Sequence, residues 1–269
     1  MSRIADLLFP PMCAGCGEPV PYPDLALPPE ALCPACRKAW DDARAELCVI
    51  CGKPVSDCNC VPEALGKAGC KSFRKLVFYR PGNREEVQNR VIYRIKDRAD
   101  ASAISFLARE LSTAIRKTLN ERGIEPNDVF LTYLPRGKRA VLESGTDQAK
   151  ELAKALSELL KIPLCHVIAR KFWHNKPQKL LSTAERQKNA KAAFRLRTTE
   201  AVRGKCAILA DDIVTSGASM SAAVRLLRRA GVKSFLSVAV ASDENNRQPA
   251  AKQRSLDGEL DGIYARHRL

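Results

Sequence analysis

Two acids and three hydroxyls fall within one short run, Asp211-Asp212-Ile213-Val214-Thr215-Ser216-Gly217-Ala218-Ser219. The apolar residues before it, Cys206 to Leu209, read as a buried strand, and Ala218 to Ala230 reads as a helix stopped by Gly231. In open α/β sheets, ligands bind beyond the carboxyl ends of strands. A helix N-terminus there offers free N–H groups and a partial positive charge, which suits a phosphate. Thr215, Ser216 and Ser219 add hydroxyl donors, and Gly217 lets the backbone approach closely. Asp211 and Asp212 are acceptors suited to sugar hydroxyls or to a magnesium-bound water. A plain helix cap by Thr215 or Ser216 would use one hydroxyl. It would leave the acid pair unexplained. The chain contains neither a Walker A sequence nor G-x-G-x-x-G.

A second chemistry is written in cysteine. Nine of the 11 cysteines lie between Cys13 and Cys70. Eight of these form the pairs Cys13/Cys16, Cys33/Cys36, Cys48/Cys51 and Cys58/Cys60, and Cys13-x-x-Cys16-Gly17-x-Pro19 recurs as Cys48-x-x-Cys51-Gly52-x-Pro54. Two thiolates at this spacing grip one face of a tetrahedral ion, and the following glycine tightens the turn. The simplest pairing puts Cys13, Cys16, Cys33 and Cys36 on one zinc and Cys48, Cys51, Cys58 and Cys60 on another. Cys70 is an alternative ligand in the second set, whose Cys58-x-Cys60 spacing is tight. Iron–sulfur clusters lack their usual spacing here. All-cysteine sites are closed, so the zinc is structural.

The elements that must position these groups follow from periodicity. Phe73 to Tyr79, Val129 to Leu134, Val167 to Ala169, Cys206 to Leu209 and Phe235 to Ala241 read as strands. Gly82 to Lys96, Ser102 to Arg122 and Thr146 to Leu160 read as helices. Ile104, Leu107, Leu111 and Ile115 share one face, and Leu152, Ala153, Leu156, Leu159 and Leu160 another. Alternating strands and helices predict an α/β fold: a parallel sheet flanked by helices, preceded by a small cysteine-rich domain. The expected division is residues 1–70, 71–242 and a polar tail, 243–269. No run approaches a membrane span. Asp6 interrupts the first apolar stretch and Pro10-Pro11 ends it, so a cytoplasmic protein without a signal peptide is expected. Residues 1–70 hold six bases against nine acids; the remainder holds 39 against 21. That basicity favours anionic partners.

The run Ile208 to Met220 resembles the PRPP (phosphoribosyl pyrophosphate) signature of type I phosphoribosyltransferases. The wider chain is similar to the ComF family, which joins a double zinc ribbon to such a domain and is linked to DNA uptake. The similarity also rests on Ile95-Lys96, Leu134-Pro135-Arg136, Asp147-Gln148 and Gln178-x-x-Leu181-Ser182-x-x-x-Arg186-x-x-Asn189-x-x-x-x-Phe194. The resemblance implies that Asp211 and Asp212 hold the ribose of PRPP, bound as its Mg²⁺ complex. It implies that Thr215, Ser216, Gly217, Ala218 and Ser219 bind the 5′-phosphate and that Arg136 lies in the pyrophosphate loop. Ser144-Gly145-Thr146 departs from the family's Arg-Gly-aromatic stretch, so that segment receives no substrate role. Arg170 to Lys191 carries seven bases, one acid (Glu185) and the aromatic residues Phe172, Trp173 and His174. Three readings stay open for it: neutralising departing pyrophosphate, stacking on single-stranded nucleic acid, or a solvated loop. Two functions follow, a transferase and a binding module that senses PRPP or a nucleotide, or handles single-stranded DNA, while the ribbon docks a protein partner.

Overall fold

The computed structural model describes residues 10–20, 30–98, 100–171, 193–197 and 202–243. The basic segment from Phe172 to Lys191 and the tail from Glu244 lie outside the described residues, as do the expectations attached to them. Helix α1 spans Pro34–Ala45 and the short α2 Glu63–Gly66. Then come β1 (Phe73–Tyr79), α3 (Val87–Arg98), α4 (Ala101–Glu121), β2 (Val129–Tyr133), α5 (Lys138–Ser144) and α6 (Gln148–Leu160). The chain continues through β3 (Ile168–Arg170), β4 (Phe194–Leu196), β5 (Cys206–Val214), α7 (Ala218–Arg229) and β6 (Ser234–Asp243).

Four strands form one parallel sheet in the order β1-β6-β5-β2. Its apolar strands are buried on both faces, as parallel sheets require. Pro163 to Cys165 extends it beside β2, with the Leu131 N–H donating to Pro163 O at 2.9 Å and the Cys165 N–H to Leu131 O at 2.8 Å. The strand expected at Val167 to Ala169 is instead Ile168–Arg170. It leaves this sheet and pairs antiparallel with Phe194–Leu196. The helix expected from Gly82 starts at Val87, because Gly82 sits at φ 86° in a turn. The helix expected from Thr146 starts at Gln148, with Asp147 as its cap.

The helix faces are packed as the spacing predicts. Ile104, Leu107, Leu111 and Ile115 of α4 are buried, with Leu152, Ala153, Leu156 and Leu160 of α6 in the same core. Asp100 begins α4, its carboxylate accepting from the Ser102 and Ala103 N–H groups at 3.0 and 3.1 Å. At its far end α6 stops on Lys161, whose φ of 58° suits glycine. Lys161 is exposed. Lys161→Gly is therefore expected to stabilise the fold by about 0.5–1 kcal/mol in urea unfolding, left-handed strain outweighing glycine's entropy. An unchanged or lower midpoint would contradict this.

The cysteine-rich segment shares the core of the sheet. Trp40 of α1 is fully buried and meets Phe106 of α4 edge-on, with centroids 5.2 Å apart. Arg37 and Arg44 pair with Glu110 across the same contact. A second tie covers the free edge of β1. Asn59 Oδ1 accepts from the Phe73 N–H and the Ser72 hydroxyl, both at 2.9 Å. Arg74 Nη1 donates to Asp57 O at 2.8 Å, and Lys75 Nζ donates to Cys58 Sγ at 3.2 Å. Edge strands left open invite pairing with other chains, and here Asn59 takes the Phe73 edge amide while the Arg74 and Lys75 side chains hold the same loop against the strand.

Candidate phosphate and metal sites

Eight cysteines converge as two quartets. The sulfurs of Cys13, Cys16, Cys33 and Cys36, and those of Cys48, Cys51, Cys58 and Cys60, each lie within 4.8 Å of one another. The sequence repeat is a structural repeat. The Gly17 N–H donates to Cys13 O at 2.9 Å and the Gly52 N–H to Cys48 O at 2.8 Å, with φ of 84° and 67° at the two glycines. Cys33 is the N-cap of α1, a helix not foreseen from the sequence, and places Cys36 in its first turn. The residues fit a tetrahedral ion on their own geometry. A Cβ at Gly15 would lie 2.7 Å from Cys36 Sγ, so the knuckle closes only around a glycine. Amide N–H groups point at sulfur: Gly15 and Cys33 to Cys13 (3.3 and 3.2 Å), and Cys60 to Cys58 (3.4 Å). Burial works against ionising Cys13, yet the amide bonds from Cys33, Cys16 and Gly15 bring its thiol down to about 7. Cys58 falls further, to about 4, through the Cys60 thiol and, against burial, the Lys75 ammonium. Cys70 stands apart from the second quartet. It is buried, bonded to Ser72 O at 3.2 Å and beside Ser237 Oγ at 3.3 Å.

At the carboxyl end of the sheet, β5 runs on past Leu209 to Val214, because pairing with β6 continues through Asp211↔Ala239 and Val214↔Ser242. The two acids therefore lie inside the strand, and alternation sends them to different surroundings. Asp211 lines a cavity of ≈ 440 Å³ together with Arg170 and the run from Ile213 to Met220. Asp212 turns to Lys96 of α3, Nζ to Oδ2 3.7 Å. Each acid also accepts the next residue's amide: Asp212 N–H to Asp211 Oδ1 at 2.9 Å and Ile213 N–H to Asp212 Oδ1 at 2.8 Å. Burial, then the neighbouring Asp212 carboxylate, push the Asp211 carboxyl well above the usual range.

Neither Thr215 nor Ser216 caps α7. The N-cap is Gly217, at φ 70°, with no side-chain bond of its own. The Ser216 hydroxyl is 3.4 Å from the Ala218 amide, so the first turn of α7 presents its N–H groups to the cavity with little internal satisfaction. A Cβ at Gly217 would lie 3.1 Å from Pro62 Cβ and 3.7 Å from Leu65 Cβ, so the segment leaving the second quartet backs the loop.

Arg136 lies just after β2, and its guanidinium is already engaged. It donates from Nη1 to Ser144 Oγ at 3.0 Å and to Gln148 Oε1, while its own N–H donates to Asp147 Oδ2 at 3.0 Å. Gln148 in turn donates to Lys96 O at 2.9 Å. Burial raises the Asp147 carboxyl, with the Arg136 and Lys150 amides opposing. Arg136, Gln148, Lys96 and Asp212 thus form one connected set across three elements. Ser144 ends α5 with Gly145 at φ 75°. This is the segment that departs from the family pattern, and it braces Arg136.

The double zinc ribbon domain family matches residues 4–71 and the phosphoribosyl transferase domain family residues 140–261. Among relatives, Competence protein F of Haemophilus influenzae is 33% identical over 90 residues, 33% of this chain and 39% of that protein. DNA utilization protein YhgH of Shigella flexneri is 25% identical over 228 residues, 84% of this chain and 94% of that protein. The chain joins a double zinc ribbon domain to a phosphoribosyltransferase domain, the arrangement of the ComF family that it resembles. Among solved structures, a hypoxanthine phosphoribosyltransferase from Staphylococcus aureus overlays at a TM-score of 0.36 with 14% identity, over 54% of this chain and 65% of that one. The two quartets fall within the double zinc ribbon match and supply the ligand sets of two structural zinc ions. No helix among its described residues is long and apolar enough to cross a membrane.

Proposed function

We propose that this protein binds PRPP as its magnesium complex and transfers the phosphoribosyl group with release of pyrophosphate. The observation that carries this reading is the first turn of α7, whose N-cap Gly217 brings no side chain to its amides, opening with Asp211 onto one cavity. In the proposal Thr215, Ser216, Gly217, Ala218 and Ser219 hold the 5′-phosphate. Asp211 and Asp212 orient the ribose hydroxyls. Bound magnesium would neutralise the diphosphate and bring water ligands to these acids. Arg136 supports the pyrophosphate side through its Gln148 and Ser144 contacts. Residues 1–70 act as the ribbon unit, 71–242 as the transferase-like unit and 243–269 as a tail, in a cytoplasmic protein.

The second reading is a binding module acting in DNA uptake, in which the domain senses PRPP or a nucleotide, or handles single-stranded DNA, and the ribbon docks a protein partner. It is favoured by the 39 bases against 21 acids beyond residue 70 and by the functions that the two relatives' names carry. One assay separates the two. Purified protein is incubated with PRPP, Mg²⁺ and a panel of nucleobases, and pyrophosphate is measured. The transferase releases it with one of them. Absent release, with PRPP binding that Asp211→Asn and Asp212→Asn abolish, leaves the binding module. For DNA, log K against log salt should fall by about 0.7 per phosphate neutralised, and a flat plot removes that role.

A further inference from the structure

A loop with a closed neck joins the second cysteine quartet to β1. Asn59 sits between Cys58 and Cys60, and its Oδ1 accepts from the Ser72 hydroxyl and the Phe73 N–H, both at 2.9 Å. The body of the loop packs along α7. Val61, Leu65 and Ala68 share a core with Met220, Val224 and Leu227 of that helix. A Cβ at Gly69 would collide with the Arg228 guanidinium, so the loop reaches the last turn of α7. At the first turn it meets Gly217, where an added Cβ would lie 3.1 Å from Pro62 Cβ and 3.8 Å from Pro62 Cγ.

Pro62 is the part of this loop placed to hold the phosphate turn. It is buried and follows the quartet member Cys60 by two positions. Its ring fixes φ, and its carbonyl accepts from the Leu65 and Gly66 N–H groups, each at 2.9 Å. Gly217 needs such a backstop. It holds φ 70° with no side chain to cap the helix, and glycine leaves a given conformation more freely than other residues. An ion held by Cys48, Cys51, Cys58 and Cys60 fixes the neck of the loop and, through it, Pro62. A phosphate group seated on the α7 turn favours the same Gly217 conformation from the other side.

We propose that the loop from Val61 to Cys70 couples the second zinc site to the phosphate turn, with Pro62 as the positioning residue, so that zinc and a sugar phosphate bind cooperatively. The proposal rests on the PRPP reading and adds regulation to it. Withdrawing this one zinc lowers the affinity of the ligand site, and because coupling is reciprocal the ligand tightens the zinc by the same factor.

Two full-length variants isolate the two ions. Cys16→Ser keeps the zinc of the second quartet, and Cys51→Ser keeps that of the first. Each is equilibrated with a zinc chelator of known affinity, with and without saturating ribose 5-phosphate, and bound zinc is counted. Ribose 5-phosphate should raise zinc affinity in Cys16→Ser by about 5- to 100-fold and leave Cys51→Ser unchanged. Adding Pro62→Gly to Cys16→Ser should abolish the effect. In the two-zinc protein, calorimetry should show Pro62→Gly weakening ribose 5-phosphate by a similar factor with both zincs retained. Pro62→Ala, which keeps the Cβ beside Gly217, should stay near the parent.

Equal tightening in the two cysteine variants would mean that the ligand stabilises the fold as a whole, and the proposal falls. It also falls alone if the parent binds ribose 5-phosphate while zinc affinity in Cys16→Ser does not change, or if Pro62→Gly binds it as the parent does. Should Pro62→Gly not fold, the comparison of the two cysteine variants decides. A parent that binds neither ribose 5-phosphate nor PRPP overturns the PRPP reading, and this proposal with it.

Discussion

A Cys58→Ser variant is expected to purify with one zinc per chain instead of two and to melt about 6–20 °C below the parent. Cys58 has two roles. It completes the second quartet, and it receives the Lys75 ammonium at 3.2 Å. Lys75 is 1% exposed, in the middle of β1. Lysine is almost never buried so fully without a partner. A tetrathiolate zinc site carries excess negative charge, and Lys75 answers it from the sheet. Serine removes the metal ligand and leaves the ammonium uncompensated. Breaking a buried charge pair by deleting one partner costs about 3–5 kcal/mol, and each kcal/mol is worth about 2–4 °C in a domain of this size. The double variant Cys58→Ser/Lys75→Met should regain part of the loss, because the stranded charge is gone. A double variant no more stable than Cys58→Ser would show that Lys75 is not the counter-charge. Cys16→Ser should also lose one zinc but melt higher than Cys58→Ser, since Cys16 is exposed and does not hold Lys75.

Asp211→Asn is expected to raise the melting temperature near pH 8 while weakening PRPP binding at least about tenfold. Burial and the Asp212 carboxylate push the Asp211 carboxyl well above 3.8. The folded state therefore holds this proton more tightly than the unfolded chain does. The stabilisation that the proton brings is fully present below the unfolded value and is lost as pH rises through the folded one. At high pH the parent carries an ionised acid that the fold resists. Asparagine keeps the acceptor for the Asp212 N–H without that charge. Calorimetric melts across pH should show the two proteins converging toward about pH 4, where the parent is neutral at this position as well. Ligand binding should respond in the opposite sense. Carboxylate ligation of a magnesium complex needs the ionised form, so parent affinity should rise with pH. A variant that is less stable than the parent at every pH would contradict the strain argument.

The sequence showed the two sites more clearly than their supports. The Cys-x-x-Cys-Gly-x-Pro repeat encodes a local turn, since Gly17 and Gly52 supply positive φ and the adjacent sulfurs follow. The run from Asp211 to Ser219 is equally local, lying on one strand, one turn and one helix start. The helix α1 was hidden because Cys33-Pro-Ala-Cys36 reads as a ligand pair, and the same residues are its cap and first turn. The helix α5 was hidden because none of its residues is buried, so it has no apolar stripe to betray it. The cap at Gly217 was not read from the sequence, because a hydroxyl side chain is the commoner cap and two stand just before it. Arg170 was legible only as one base in a basic run. What singles it out is the Arg170↔Phe194 register, which joins residues 24 positions apart and turns one end of that run into the cavity. The Arg136–Gln148–Lys96 connection is equally non-local.

The loop anchored on β1 bears on how the chain is made. Strand β1 ends at Tyr79, yet its sheet partner β6 begins at Ser234. During synthesis that is a wait of roughly 150 residues, on the order of 10–30 s at ordinary elongation rates. The quartet from Cys48 to Cys60 is translated before β1. Zinc can organise it as soon as it leaves the ribosome, and its loop is then ready to take the Phe73, Arg74 and Lys75 donors as they emerge. Three contacts to β1, one from its backbone and two from its side chains, are thus available before the last strand of the sheet has been made.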